Sequence, residues 1–142
     1  MTAEAPLEAL AIDHVGIAAD GSSTALSLLL GAAAVEGREM PSGVAVGRFG
    51  PDSGLELVWE AREGSPIAGF LDRRGPGLHH VALRVAAPIE QLRARLLEAE
   101  VKLIGDGIER SADDRKCFFV HPSATGGVLV EIVEGAGGES DG

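Results

Sequence analysis

The chain has 142 residues, of which 45% are hydrophobic, and its formal net charge is −10. This length and apolar content are sufficient for one domain with a buried core, and the negative charge argues against nucleic acid as a partner. The single cysteine, Cys117, excludes an internal disulfide and a thiolate-rich metal site. We predict a cytoplasmic protein, because no segment resembles a signal peptide or a membrane span.

The first half of the chain predicts a strand, a helix and three further strands. Ser22 to Thr24 can cap a helix that continues through Leu26, Leu29 and Leu30. Pro51 to Gly54 has the composition of a hairpin turn. The predicted strands of this half cover 10–18, 35–39, 43–49 and 55–60.

A short helix over 65–74 is predicted to bridge this half to the next, because Ser65 and Pro66 suit its start and Arg73-Arg74 suit its end. Ile67, Phe70 and Leu71 share one of its faces.

The second half repeats the order of the first. It predicts a strand over 78–86, a helix over 88–100 and a strand over 101–104, followed by a polar loop over 105–114. Strands over 116–121 and 128–133 then flank a turn over 122–126.

This repeat defines the predicted architecture as one α+β domain over 10–142. Its two βαβββ modules, about 10–62 and 77–134, would form a curved mixed sheet around a metal-binding cleft. We expect the Gly-rich, acidic tail over 135–142 to be disordered.

Each half places one histidine on its first strand and one glutamate on its last strand. His14 and Glu56 belong to the first half, and His80 and Glu131 to the second. Two imidazoles and two carboxylates suit a divalent ion such as Co, Mn, Ni, Zn or Fe better than calcium. The alignment of Asp13-His14 with His79-His80 selects His80 as the ligand, and strand alternation then turns His79 to the other face.

Other polar residues have weaker interpretations. His121 precedes Pro122 in a turn and is either structural or in contact with substrate, whereas Cys117 suits a small core position. The basic pairs Arg73-Arg74 and Arg115-Lys116 could attract a phosphorylated small molecule, although a solvated surface is the simpler interpretation.

Several longer motifs resemble the vicinal-oxygen-chelate superfamily, whose members pair βαβββ modules around a metal. Within it, the chain resembles the methylmalonyl-CoA epimerases. The resemblance lies in Ile12-Asp13-His14-Val15-Gly16, in Ser65-Pro66-Ile67-Ala68-Gly69-Phe70-Leu71, in Gly77-Leu78-His79-His80-Val81-Ala82 and in the segment from His121-Pro122 to Val128-Leu129-Val130-Glu131.

This resemblance implies a metal held by His14, Glu56, His80 and Glu131, inversion at C2 of methylmalonyl-CoA through an enolate, and a role for Glu131 in proton transfer. It also implies a homodimer. Some members carry a glutamate base on the third strand, where this chain has Val46.

Further departures from the family pattern are Ser111-Ala112-Asp113-Asp114 in place of a Gly-rich loop and Ser123 in place of a lysine. Both lie where CoA phosphates could bind. Glu39 and Glu60 are nearby carboxylates that could replace the missing base, and the sequence does not rank them.

Three alternatives remain open at this point. A glyoxalase I-like lyase would use a similar shell of His and Glu. An extradiol dioxygenase would use two His and one Glu on iron and leave Glu56 without a role. A metal-free drug-binding member would be expected to lack the four ligands, which this chain retains.

Overall fold

The computed structural model describes residues 11–19, 38–48, 54–86 and 88–135. The predicted helix over 22–31 and the tail lie outside these residues. The described elements are β1 (Ala11–Ala18), β2 (Arg38–Glu39), β3 (Val44–Arg48), β4 (Leu55–Glu60), α1 (Pro66–Arg74), β5 (Gly77–Val85), α2 (Ile89–Glu98), β6 (Leu103–Arg110), β7 (Lys116–Val120), a 3₁₀ turn (Pro122–Ala124) and β8 (Leu129–Glu134).

The described chain divides into two compact units. The N-terminal unit is His14–Val81, and the C-terminal unit comprises the described residues 11–13 and 82–135. Strands β1 and β5 each cross this division. Both helices and the mixture of parallel and antiparallel strand pairs confirm the α+β class.

In the N-terminal unit the strand order is β2-β3-β4-β1, with β5 next to β1. β1 runs parallel to β4 and places Gly16 opposite Glu56. β3 runs antiparallel to β4 and places Arg48 opposite the same glutamate. Because residues that pair across a sheet share a face, Gly16, Glu56 and Arg48 project to the same side.

Helix α1 packs its apolar face in this unit. Ile67 is buried with Ala18 and Val58, and Phe70 and Leu71 pack against them, as the sequence spacing predicts. Ser65 occupies the N-cap position without a side-chain hydrogen bond to the helix, and its backbone carbonyl accepts a hydrogen bond from Ala68 N–H at 3.0 Å.

In the C-terminal unit β7 lies between β8 and β6, and both pairs are antiparallel. Helix α2 buries Ile89 and Leu92 against a cluster that contains Val85, Phe118 and Ile132. This cluster is the apolar core of the unit.

The prediction of a short strand over 101–104 and a polar loop over 105–114 is wrong in its boundary. β6 continues to Arg110, and its register with β7 shifts between Ile104 and Glu109. Gly105 has a φ of 82°, which permits this irregularity. Pairing with β7 therefore extends the strand despite the polar, glycine-containing sequence.

A buried carboxylate, Asp13, connects β1 to two arginines within the C-terminal unit. Arg115 donates Nη1 to Oδ1 at 3.0 Å and Nη2 to Oδ2 at 2.8 Å, which is a bidentate pair. Arg84 donates Nη1 to Oδ1 at 3.1 Å. The hydrogen bonds that Arg115 donates to Asp13 raise the pKa of Arg115 further above its usual range. No described helix is long and apolar enough to cross a membrane.

Asp13→Asn should lower the free energy of unfolding by about 2 to 3 kcal/mol, because a half-buried guanidinium loses its charged partner. Urea unfolding followed by circular dichroism measures this change. Lys116→Ala is the control, because it breaks an exposed ion pair with Glu90 and should have a much smaller effect. Equal effects of the two substitutions would show that the Asp13 network does not stabilise the fold.

Cys117 should react with a thiol reagent only after the protein unfolds. Its side chain is buried, and burial raises the pKa of the thiol, followed in importance by the charge of Glu131. Labelling with a chromogenic disulfide at pH 8, with and without denaturant, checks this. Rapid labelling of the native protein would contradict the buried placement.

Candidate metal centre

Three of the four predicted ligands converge in the N-terminal unit. His14 lies on β1, Glu56 on β4 and His80 on β5, and all three are buried. One nitrogen or oxygen atom from each lies within 4.8 Å of the others. The structure thus brings together ligands that are far apart in the sequence.

The distances among these atoms suit a divalent metal. His14 Nε2 and His80 Nε2 are 3.2 Å apart, and Glu56 Oε1 lies 3.5 Å from the first and 3.3 Å from the second. Bonds of about 2.1 Å that meet at octahedral or tetrahedral angles separate neighbouring donor atoms by about 3.0 to 3.4 Å. Two imidazoles and a carboxylate therefore fit a transition-metal or zinc ion in both spacing and chemistry.

Gly16 makes room for the His80 ring. A Cβ atom at this position would lie 2.1 Å from His80 Cε1 and 2.4 Å from Nδ1, closer than any real contact. The imidazole ring is rigid and buried, so it could not accommodate a methyl group without leaving its position. Gly16 is two residues from His14 on the same face of β1, which is the sequence signal for its role.

His79 contacts His80 rather than facing away from it. The two Nδ1 atoms are 2.9 Å apart, and Phe70 of α1 packs edge-on against the His79 ring. Burial lowers the pKa of His79 to about 4, and repulsion from His80 adds to the shift. A neutral His79 can accept a hydrogen bond from His80 Nδ1–H, which leaves the His80 Nε2 lone pair available to a metal.

Arg48 is a residue of the site that the sequence analysis did not identify. Its Nη2 lies 3.0 Å from His14 Nδ1, and its Nε lies 3.6 Å from Glu56 Oε2. The available sequence signal was its position two residues after Val46 on the predicted third strand. The pairing with Glu56 depends on strand register, which the sequence does not specify.

Glu131, the fourth predicted ligand, lies on β8 of the C-terminal unit. It is 5% exposed, and its paired residue on β7 is Phe119. A buried carboxylate is unusual and is consistent with a functional role. Its participation in a metal site remains a prediction.

His121 stabilises a local turn in the C-terminal unit. Its Nδ1 accepts a hydrogen bond from Ser123 N–H at 3.0 Å at the start of the 3₁₀ turn. This contact agrees with the structural interpretation of the residue. Its contact with substrate remains a prediction.

The basic pairs differ in their surroundings. Arg115 is committed to Asp13, and Lys116 Nζ donates to Glu90 at 2.7 Å. Arg73 and Arg74 are exposed at the end of α1, where Arg74 lies over the Phe70 ring. Arg73 and Arg74 therefore have more accessible charges than Arg115 and Lys116.

Glu39 and Glu60, the two carboxylates that could replace the missing base, have partners outside the ligand group. Glu39 forms an exposed ion pair with Arg62, and Glu60 accepts a hydrogen bond from Gly64 N–H at 2.9 Å. Val46 pairs with Val58 on β4, so both members of this pair are apolar. The described residues of the N-terminal unit do not supply a glutamate at the aligned position.

Comparisons with known proteins agree with this fold. A family model described as the Glyoxalase/Bleomycin resistance protein/Dioxygenase superfamily matches residues 13–119. The uncharacterized protein YqjC of Bacillus subtilis (strain 168) is 36% identical over 132 residues, which cover 89% of this chain and 93% of that protein.

Two further similar proteins have names that state an activity. The ethylmalonyl-CoA/methylmalonyl-CoA epimerase of Cereibacter sphaeroides is 38% identical over 84 residues, or 58% of this chain and 62% of that protein. The crystal structure of methylmalonyl-CoA epimerase from Mycobacterium tuberculosis gives a TM-score of 0.76 at 31% identity, and the match covers 100% of this chain and 97% of that one.

Gly16→Ala should weaken metal binding by about 100-fold, because the added methyl group displaces His80 from the ligand group. Titration with Co(II), followed by its visible absorption, measures the affinity. Gly107→Ala is the matched control, because a Cβ there has no atom within 4 Å. Unchanged Co(II) affinity in Gly16→Ala would exclude His80 as a ligand in this position.

Proposed function

The chain belongs to the Glyoxalase/Bleomycin resistance protein/Dioxygenase superfamily, and from that premise we propose that it is a metal-dependent epimerase that inverts C2 of methylmalonyl-CoA. The activities named for its relatives indicate an epimerase. The single observation that carries the proposal from this chain is the buried group His14, Glu56 and His80, whose spacing suits a divalent ion.

The proposed substrate places the reacting proton between a thioester carbonyl and a carboxylate. A divalent cation, held by His14, Glu56, His80 and in our proposal also Glu131, would supply the positive charge that stabilises an enolate. Inversion requires that a proton leave one face of C2 and that another arrive on the opposite face. The protein must therefore provide an acid or base on each side.

We assign the first of these proton transfers to Glu131. Its side chain is buried, and a carboxylate can accept the proton that leaves C2. The second acid or base is not assigned, because Val46 occupies the aligned position and Glu39 and Glu60 have other partners.

An acyl-CoA ligand is consistent with the names of the relatives. In the proposal, the exposed cations Arg73 and Arg74 are the available partners for CoA phosphates, and His121 contacts the substrate. We further propose a cytoplasmic homodimer, as the resemblance implies.

The position of Glu56 bears on the alternative chemistries. An extradiol dioxygenase would use two His and one Glu and leave Glu56 outside the metal shell. Here Glu56 Oε1 lies within 3.5 Å of both histidine Nε2 atoms, which supports its role as a ligand in the proposed site. A glyoxalase I-like lyase uses a similar shell, and the experiment below separates it from an epimerase.

The proposal predicts that the Co(II)- or Mn(II)-loaded protein incorporates deuterium at C2 when one epimer of methylmalonyl-CoA is incubated in D₂O. Nuclear magnetic resonance of the product measures the uptake, and chelation of the metal should abolish it. Turnover of the methylglyoxal–glutathione adduct without deuterium uptake would instead identify a glyoxalase I-like lyase.

Substitutions should distinguish the roles of the two buried glutamates, Glu56 and Glu131. Glu131→Gln should reduce exchange by about 1000-fold or more, because an amide cannot take up the proton. Glu56→Gln should mainly weaken metal binding and keep part of the activity at saturating metal. Glu134→Gln, on the same strand as Glu131, is the control and should keep full activity. Full exchange in Glu131→Gln would refute its proposed role.

A further inference from the structure

The hydrogen-bonding groups of the metal-ligand group form a directed chain. A guanidinium has donors and no acceptor and stays protonated, so Arg48 must donate to His14 Nδ1 at 3.0 Å. A neutral His14 that accepts at Nδ1 carries its proton on Nε2. That Nε2–H faces His80 Nε2 at 3.2 Å and Glu56 Oε1 at 3.5 Å, both of which can accept it.

His80 has two neighbours within hydrogen-bonding distance besides His14. Its Nε2 lies 3.3 Å from Glu56 Oε1, and its Nδ1 lies 2.9 Å from His79 Nδ1. The donor role of Arg48 therefore fixes the tautomer of a neutral His14, whereas a neutral His80 can adopt either tautomer.

This assignment prepares the two histidines differently for a metal. A metal ligand must present a lone pair, and the opposite ring nitrogen carries the proton. His80 can adopt the required tautomer, because its Nδ1 faces a ring nitrogen of His79 at 2.9 Å that can accept the proton. His14 has the opposite tautomer, because Arg48 occupies the lone pair on its Nδ1.

We propose that Arg48 sets the metal affinity of the His14–Glu56–His80 group, by holding His14 in the tautomer that cannot bind a metal and by pairing with Glu56. A metal can bind through His14 Nε2 only if the proton moves to Nδ1 and the guanidinium leaves that atom. Arg48 is thus a positioning residue that acts through His14 and Glu56. The proposal rests on the metal site of the proposed function and is independent of which substrate that site serves.

The charge of Arg48 acts in the same direction as its hydrogen bond. A guanidinium next to two ligands repels a divalent cation, and its ion pair with Glu56 competes for the carboxylate. Removing the charge while keeping the length of the side chain should therefore strengthen metal binding.

Arg48→Met is expected to tighten Zn(II) and Co(II) binding by about 10-fold or more, as measured by competition with a chromophoric chelator. Arg48→Lys keeps a charged donor and should stay within about 3-fold of the wild type. Arg62→Met, which removes an exposed arginine of the same unit, is the matched control and should leave the affinity for both metals unchanged. Unchanged or weaker metal binding in Arg48→Met would overturn the proposal.

A second measurement needs no substitution at Arg48. In protein freed of metal by chelation, ¹⁵N–¹H correlations of the imidazole rings should place the His14 proton on Nε2. Zn(II) should move this proton to Nδ1. A His14 proton on Nδ1 before Zn(II) is added would overturn the proposal. These results do not depend on substrate, so a protein that binds metal as expected but fails to exchange deuterium would refute only the proposed epimerase.

Discussion

The N-terminal unit is organised around one constraint, which is that a buried carboxylate needs positive or hydrogen-bonding partners. Glu56 is 6% exposed, and it is surrounded by two imidazoles and a guanidinium that come from three other strands. Without them, ionised Glu56 would be expensive to bury. The same cluster that satisfies the carboxylate also has the donor set and the spacing of a metal site.

Strand pairing determines which side chains belong to this cluster. The parallel register of β1 with β4 places Gly16 beside Glu56, and the absence of a side chain leaves the space that the His80 ring fills. The antiparallel register of β3 with β4 places Arg48 on the other side of the same glutamate. A shift of one residue in either register would turn these side chains to the opposite face.

The two histidine ligands have neighbours with opposite effects. His79 can accept a hydrogen bond from His80 and so support the metal-binding tautomer of that ring, whereas Arg48 donates to His14 and supports the other tautomer of His14. Arg48 thus links the electrostatic balance of the buried glutamate to metal affinity. The same residue that stabilises the carboxylate would then oppose the cation that the carboxylate serves to bind.

The C-terminal unit also contains a buried carboxylate, and there arginines supply the compensating positive charge. Asp13 is buried beside two arginines, of which Arg115 binds it in a bidentate manner. Because Arg115 is held there, it is a poor candidate for phosphate binding. Whether an arginine is accessible to a ligand therefore depends on its ion pairs within the protein and not on its residue type.

The sequence by itself determined the α+β class, most of the described strands and helices, and the choice of His14, Glu56 and His80 as candidate ligands, because hydrophobic periodicity and residue chemistry are local properties. It did not determine the length of β6, which depends on pairing with β7. Nor did it identify Arg48, Gly16 or the contact of His79, because these depend on strand register and on the packing of α1. Only the tertiary structure decided which side chains face the ligands, since those neighbours come from different strands whose alignment is set by long-range pairing.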